Sequence, residues 1–574
     1  MYQCIYVFLT IIVSVYSHPL VETTHGIVTG KVLRTLLKDV EYYAFMGIPY
    51  AAPPVQTLRF LAPQPIEPWN GILNTTTYKE PCYQFKHVFK TVLPYSYFGA
   101  EDCLYLNIFT PAIDENKRPI IVFLENSRFR YSLDKPDYGP DFFIEEDVII
   151  ISINYRMTLF GFLSLEDDIM PGNAGLKDIV AGLEWIKNNA VYFGGDPKRI
   201  TLMGSQGGAA AADLLIHSRA NQLFNSAILQ SGTSWSTMYL QENVLERAFR
   251  LGELSGRGTS SSKRLLTELR EISPGTLLAQ EIAANPKDYT KEHQRSALTF
   301  GPVVETHPDS LVSEYPERVS KMNTPVLIGF NSREDLEPSL QYLIEPQYLS
   351  FLEKDFPLLL PRRVEFKFDP DGDSYLEAVK EVKKFYFDGK VKISSVPEYV
   401  TYIGDVLTAY SVNAMAEKYA NISSSSVFYY QFDYYSDLSE NKNNLLKLSS
   451  VSEGTAGAAA GDELCYLFVC PKLRKKYAKY YKQQTEEINV SRKLVRLWSN
   501  FVKYGNPTPD GDTVLDLKWP PYSETKDYLH INKQLEVRNS INNRFRFWER
   551  FVGKRRAARR GRGTVAAETN KYEL

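Results

Sequence analysis

The chain has 574 residues, of which 44% are hydrophobic and 23% charged, a balance that fits a folded globular protein and excludes a disordered or collagen-like one. Its net charge of −2 gives no global reason to bind nucleic acid or an anionic membrane. The length allows several domains or one large α/β unit.

Residues 5–16 are almost wholly apolar, and Val15 and Ser17 fit the small-residue positions before a cleavage point. The stretch is too short to span a bilayer and polar residues follow at once. A signal peptide over residues 1–17 is therefore expected, and with it a secreted, extracellular product. No other segment is long and apolar enough to predict a transmembrane span. Of the five cysteines, Cys4 leaves with the signal. Cys82, Cys103, Cys465 and Cys470 remain, an even number that suggests disulfides in an oxidising compartment. Whether Cys465 and Cys470 pair is left open. Sequons at Asn74, Asn421 and Asn489 are glycosylation candidates on that route.

The segment at 47–54 is rich in glycine and proline and cannot be helical. Short β-rich runs follow at 104–109, 119–124 and 148–153. The last two are continuously apolar, which suits strands covered on both faces. Leu176, Ile179, Val180, Leu183 and Ile186 follow helical spacing, and Gly194-Gly195-Asp196-Pro197 ends that element. A strand at 199–203, a glycine-rich turn, a helix through the alanines at 209–212 and a strand at 227–230 come next. Residues 240–298 are charged and helix-like. Strands are expected again at Val303-Val304, 324–329 and 427–432, with mainly helix over 333–425. An amphipathic helix spans 488–504, with Leu494, Leu497, Trp498, Phe501 and Val502 on one side. This alternation predicts an α/β fold with a large, mostly parallel, doubly wound central sheet flanked by helices.

Several segments carry a family signature. They are EDCLYLNI at 101–108, Asn154-Tyr155-Arg156 followed by Phe160-Gly161-Phe162-Leu163, GNAGLKD at 172–178, and Phe193-Gly194-Gly195-Asp196-Pro197 leading into Ile200-Thr201-Leu202. Gln230-Ser231-Gly232 and Trp519-Pro520-Pro521-Tyr522 complete the set. On these the chain resembles the type-B carboxylesterase and cholinesterase-like family, from about residue 26 to 551. The resemblance implies the α/β-hydrolase fold, one domain over 18–553, and a bridge between Cys103 and the upstream Cys82.

The family places its serine in a G-x-S-x-G turn between strand and helix, where close packing demands glycine. Here the turn reads Gly204-Ser205-Gln206-Gly207-Gly208. Gln206 takes the nucleophile position, and an amide has no ionisable proton and forms no acyl-enzyme. Ser205 is one residue early, so its side chain is expected to point away. The segment resembling G-x-x-H-G-x-E-L is Gly457 to Leu464, with Ala460 at the histidine position. None of the seven histidines lies near it in sequence. Glu334 matches the family's acid, with Asp335 where glycine is usual, and pairing with a basic neighbour such as Arg333 is expected. The oxyanion-hole positions after the strand at 119–124 hold Glu125, Asn126 and Ser127 in place of histidine and two glycines. An acid there repels a developing oxyanion, and the N–H of Gly207 is a single remaining donor. These readings predict a catalytically degenerate member. It would lack ester hydrolase activity and act by binding a protein partner or a hydrophobic small ligand. The alternative is a carboxylic ester hydrolase with weak or atypical activity. No cofactor and no metal site is expected.

The run from Lys554 to Arg562 holds six basic residues in nine. It predicts a disordered tail over 554–574, open to polyanion contact or to processing at paired basics. The terminal Lys571-Tyr572-Glu573-Leu574 resembles an endoplasmic-reticulum retrieval signal, which makes the lumen of that compartment the alternative location.

Overall fold

Continuously apolar strands need cover on both faces, and the centre of the protein is built from such strands. A computed structural model describes residues 18–86, 96–131, 138–296, 298–363, 368–539 and 543–555. The expected signal peptide, Cys4, and the tail beyond residue 555 with its terminal Lys571-Tyr572-Glu573-Leu574 lie outside the described residues.

Eleven strands form the main sheet: β1 (Lys31–Arg34), β2 (Glu41–Pro49), β3 (Tyr105–Thr110), β4 (Arg118–Asn126), β5 (Ile149–Ile153), β6 (Gly195–Gln206), β7 (Ser226–Gln230), β8 (Val326–Asn331), β9 (Val427–Phe432), β10 (Asp527–Ile531) and β11 (Leu535–Asn539). Their spatial order is β11-β10-β9-β8-β7-β6-β4-β5-β3-β2-β1. From β5 through β10 the pairs are parallel, and both ends of the sheet are closed by antiparallel strands. The fold is the expected α/β hydrolase, with a mostly parallel sheet flanked by helices.

Alternate residues of β4 feed two cores. Ile120, Val122 and Leu124 face one, and Ile121 and Phe123 face the other. Helix α1 (Ala174–Asn189) and helix α2 (Gly207–Ile216) bury their apolar faces in the first core, beside α3 (Pro274–Glu281) and α4 (Tyr410–Ile422). Helix α5 (Glu486–Tyr504) lays Leu494, Leu497, Trp498, Phe501 and Val502 into the second. Covering both faces is what a parallel sheet requires. Arg156 bonds Asp178 on α1 through two guanidinium nitrogens, at 2.7 and 2.6 Å, with both side chains buried. That pair ties the loop after β5 to the helix layer.

Disulfides join Cys82 to Cys103 and Cys465 to Cys470. The sequon asparagines Asn74, Asn421 and Asn489 are all exposed. Among the described residues no helix is long and apolar enough to cross a membrane. Two expected elements differ. Val303-Val304 is not a strand, because the Val303 N–H and C=O are taken by the side-chain amide of Asn173, at 2.9 and 2.8 Å. Strand β6 begins at Gly195 rather than at 199, since Gly195 already pairs with Arg118 before an irregularity that ends at Ile200. At the start of the basic run, Arg555 pairs with Glu381 at 2.8 Å and stacks on Phe551.

Candidate active site

Strand β6 ends on Gln206, and helix α2 starts at the next residue. No spacer separates them, so the chain must reverse on one residue. Gln206 pays this in conformation, with φ 50° and ψ −112°, a region that a non-glycine residue occupies only when its surroundings enforce it. The flanking glycines show that enforcement. A Cβ on Gly204 would sit 2.3 Å from the carbonyl of Gly208, and a Cβ on Gly208 would sit 1.9 Å from the Leu124 oxygen. Ser205 is buried in β6, opposite Glu125 on one side and Gln230 on the other. Gly207 opens α2, where the first N–H groups have no partner within the helix.

Three segments meet at this apex. The first follows β4, which places Glu125 beside Ser205 and Asn126 beside Gln206. Ser127 then turns its hydroxyl onto Gln206 and donates to Oε1 at 2.8 Å. Arg128 and Phe129 both have positive φ, 60° and 54°. The turn is held by Ser127 N–H donating to the Tyr131 oxygen and by Thr158 N–H donating to the Phe129 oxygen, each at 2.8 Å. The second segment follows β8. Glu334 is buried and accepts the N–H of Asn331 at 2.6 Å. Asp335, at φ 57°, occupies a left-handed position, which accounts for the glycine usual there. It pairs with Arg128 at 3.1 Å.

The third segment is 456–464. Arg333 N–H donates to the Ala458 oxygen at 2.8 Å, and the Asn331 amide donates to the Ala459 oxygen at 2.5 Å and to Glu463. Gln230 holds the other Glu463 oxygen at 3.1 Å. Ala460 turns its oxygen to the Asn441 amide at 2.7 Å. A Cβ on Gly461 would lie 3.8 Å from Gln206 Nε2, so this loop faces the free end of the Gln206 amide. The structure thus gathers Gln206, Ser127, Glu334 and the loop bearing Ala460.

The expected pairing of Glu334 with Arg333 does not occur. Arg333 reaches the Ala456 oxygen and Thr401 instead. Burial pushes Glu334 well above the carboxylate range, and the adjacent Asp335 charge adds to it, against the hydroxyl of Ser231 and the N–H of Asn331. Burial likewise lifts Glu463 and Asp462 to about 7. In each of these acids burial favours the protonated form. No histidine among the described residues bonds to Gln206, Ser127 or Glu334. Of the site residues, Ser127, Gln206, Ala460 and Gly461 are half-buried, while Ser205, Gly207, Glu334, Ala459 and Glu463 are buried.

Sequence reasoning missed Tyr131, Glu337 and Asn331. The Tyr131 hydroxyl donates to both Glu337 oxygens, at 2.6 and 2.8 Å, and Asn331 braces the second and third segments. Asn331 stood in a recognised motif, whereas the Tyr131–Glu337 contact crosses 206 positions and leaves no local pattern. Among the described residues one group, Glu440, Cys465 and Cys470, has metal-like proximity, but its sulfurs form a disulfide and offer no thiolate.

The carboxylesterase family matches residues 17–548. A juvenile hormone esterase of Tribolium castaneum is 32% identical over 510 residues, spanning 86% of this chain and 84% of that protein. Esterase E4 of Myzus persicae is 29% identical over 523 residues, spanning 89% and 90%. Carboxylesterase 1E of Mus musculus is 28% identical over 568 residues, spanning 94% of each. These matches overturn the expectation of a degenerate protein that lacks ester hydrolase activity and acts only by binding. The relatives are named for ester hydrolysis and align along nearly their whole length. The residues at 206 and 460 do not by themselves show that activity is lost.

Proposed function

The chain belongs to the carboxylesterase family, and from that premise we propose that it is a carboxylic ester hydrolase with an atypical site. The observation that carries this reading is the elbow. The protein keeps a strained Gln206 at φ 50°, packed glycines on both sides, and three further segments brought to the same apex. Such strain persists only where surrounding structure maintains it, and it concentrates at functional sites.

In this reading Gln206 holds the nucleophile position, Glu334 the acid position and Ala460 the base position. Glu125, Asn126, Ser127 and Gly207 border the oxyanion position. The Gln206 amide does not form an ester with the substrate, so it contributes hydrogen bonds. We further infer a leader over 1–17, a hydrolase domain over 18–553 and a basic tail over 554–574. The product is read as extracellular, with Asn74, Asn421 and Asn489 as glycan acceptors; their exposure supports this.

The test is hydrolysis of 4-nitrophenyl acetate and butyrate by the purified full chain. Saturable release of nitrophenol in proportion to protein supports the reading. A rate equal to that of the heat-denatured chain counts against it.

A further inference from the structure

Helix α4 buries Val412, Met415 and Tyr419 in the first core. Its positions 413, 414, 417, 418 and 421, spaced as one helical stripe, line a cavity of about 1030 Å³. Trp235 from the loop after β7, Tyr522, and Phe545 and its neighbours on the helix that begins at 543 form the other walls. None of the residues gathered at the Gln206 apex lines it. The volume is at the upper end of small-molecule sites, which run from about 300 to 1,000 Å³.

The charge of this cavity is opposite to that of the chain. Arg362, Lys418, Lys526, Arg546 and Arg550 meet two carboxylates, Glu417 and Glu549, while the whole chain carries −2. Both carboxylates are engaged. Glu417 accepts from the Tyr522 hydroxyl and lies 3.4 Å from Lys526 Nζ, and Glu549 accepts from the Tyr410 hydroxyl. Arg362 is left with a 3.9 Å contact to Glu549. Its side chain is only 12% exposed, and among the described residues its Nε has no hydrogen-bond partner. A guanidinium so far out of water calls for an acceptor. Arg362 and Lys418 both lie against the ring of Trp235, at 5.8 and 5.3 Å. Burial holds the Lys418 ammonium below the ordinary lysine range in spite of the Glu317 and Asp213 charges. Trp235, Tyr522 and Phe545 are buried, whereas Arg546 and Arg550 are exposed, so the cavity has an aromatic floor and a cationic rim.

We propose that this cavity binds an organic carboxylate with an apolar body, at a site apart from the elbow. The carboxylate meets Arg362 and Lys418, where the guanidinium supplies charged N–H donors. The apolar body lies on Trp235, Tyr522 and Phe545. Arg546 and Arg550 draw the anion to the mouth. The inference goes beyond ester hydrolysis and does not depend on it.

The experiment titrates the full chain with decanoate, 1-decanol and sodium sulfate by calorimetry, before and after N-glycosidase treatment. A diazirine-bearing decanoate is then photolysed on the wild-type chain and its adducts are mapped by peptide mass spectrometry. The expected result is saturable binding of one decanoate, with decanol and sulfate each at least about 10-fold weaker. Arg362→Met keeps the apolar stem and should weaken decanoate at least about 10-fold with an unchanged melting temperature, and Lys418→Met should do the same. The label should fall on peptides that contain Trp235 or residues 413–422. No saturable binding, decanol or sulfate bound as tightly as decanoate, undiminished affinity in the variants, or label confined to peptides outside the cavity overturns the proposal. Binding that appears only after N-glycosidase treatment makes a glycan on Asn421 the occupant and also overturns it. Should Arg362→Met fail to fold, Lys418→Met and the wild-type label decide the matter.

Discussion

Replacing Glu281 with glutamine removes a buried charge from behind the turn that carries Ser127. Glu281 closes α3 with 1% exposure. Its Oε2 accepts the Leu159 N–H at 3.0 Å, and the neighbouring Thr158 N–H holds the Phe129 oxygen. Burial lifts the carboxyl from 4.5 to about 7, against the pull of Arg130 and the Leu159 bond. The native state therefore binds this proton more tightly than the unfolded chain does. The associated stability is fully present below about pH 4.5 and is lost as pH rises through about 7. At roughly 1.4 kcal/mol per pKa unit, the swing is about 3 kcal/mol. Glutamine keeps an acceptor for Leu159 and does not titrate. Urea unfolding of both proteins at pH 5 and pH 8 measures the difference. The variant should gain about 2.5 kcal/mol on the wild type between those pH values, since part of the swing lies below pH 5. Asp462 and Glu463 titrate in the same window in both proteins and cancel in that comparison. Parallel pH profiles for the two proteins would refute the reasoning.

Substituting both Cys82 and Cys103 with alanine opens a loop of 21 residues and should cost about 3 kcal/mol of unfolding free energy, read from denaturant midpoints. Asp178→Asn leaves the buried Arg156 guanidinium with a neutral partner, and a loss of about 3–5 kcal/mol is expected by the same measurement. Gly208→Ala drives a methyl group into the Leu124 oxygen, 1.9 Å from its Cβ position. The elbow cannot absorb that overlap, so the melting temperature should fall and ester hydrolysis should disappear.

The buried strands were legible because a continuous apolar run has few other places to go. Residues 119–124 and 148–153 became β4 and β5, adjacent at the centre of the sheet. The spacing of Leu176, Ile179, Leu183 and Ile186 likewise marked α1, and all four face its core. Val303-Val304 misled because its composition is β-like while a distant asparagine supplies its hydrogen bonds. Arg333 misled because adjacency in sequence says little about where a long side chain reaches. The elbow itself was readable from Gly204 and Gly208. The inference to inactivity, drawn from Gln206, Ala460 and the Glu125–Ser127 segment, ran further than those residues carry, since the matching relatives are named for ester hydrolysis. The Tyr131–Glu337 bond forms only through tertiary contact, so no local pattern announces it.

The central claim is that this protein hydrolyses carboxylic esters. The most direct measurement is acid release from ethyl butyrate in a pH-stat with the purified full chain. The predicted result is saturable release of one proton and one ethanol per ester consumed, abolished by heat denaturation. Release no faster than with the denatured chain would contradict it.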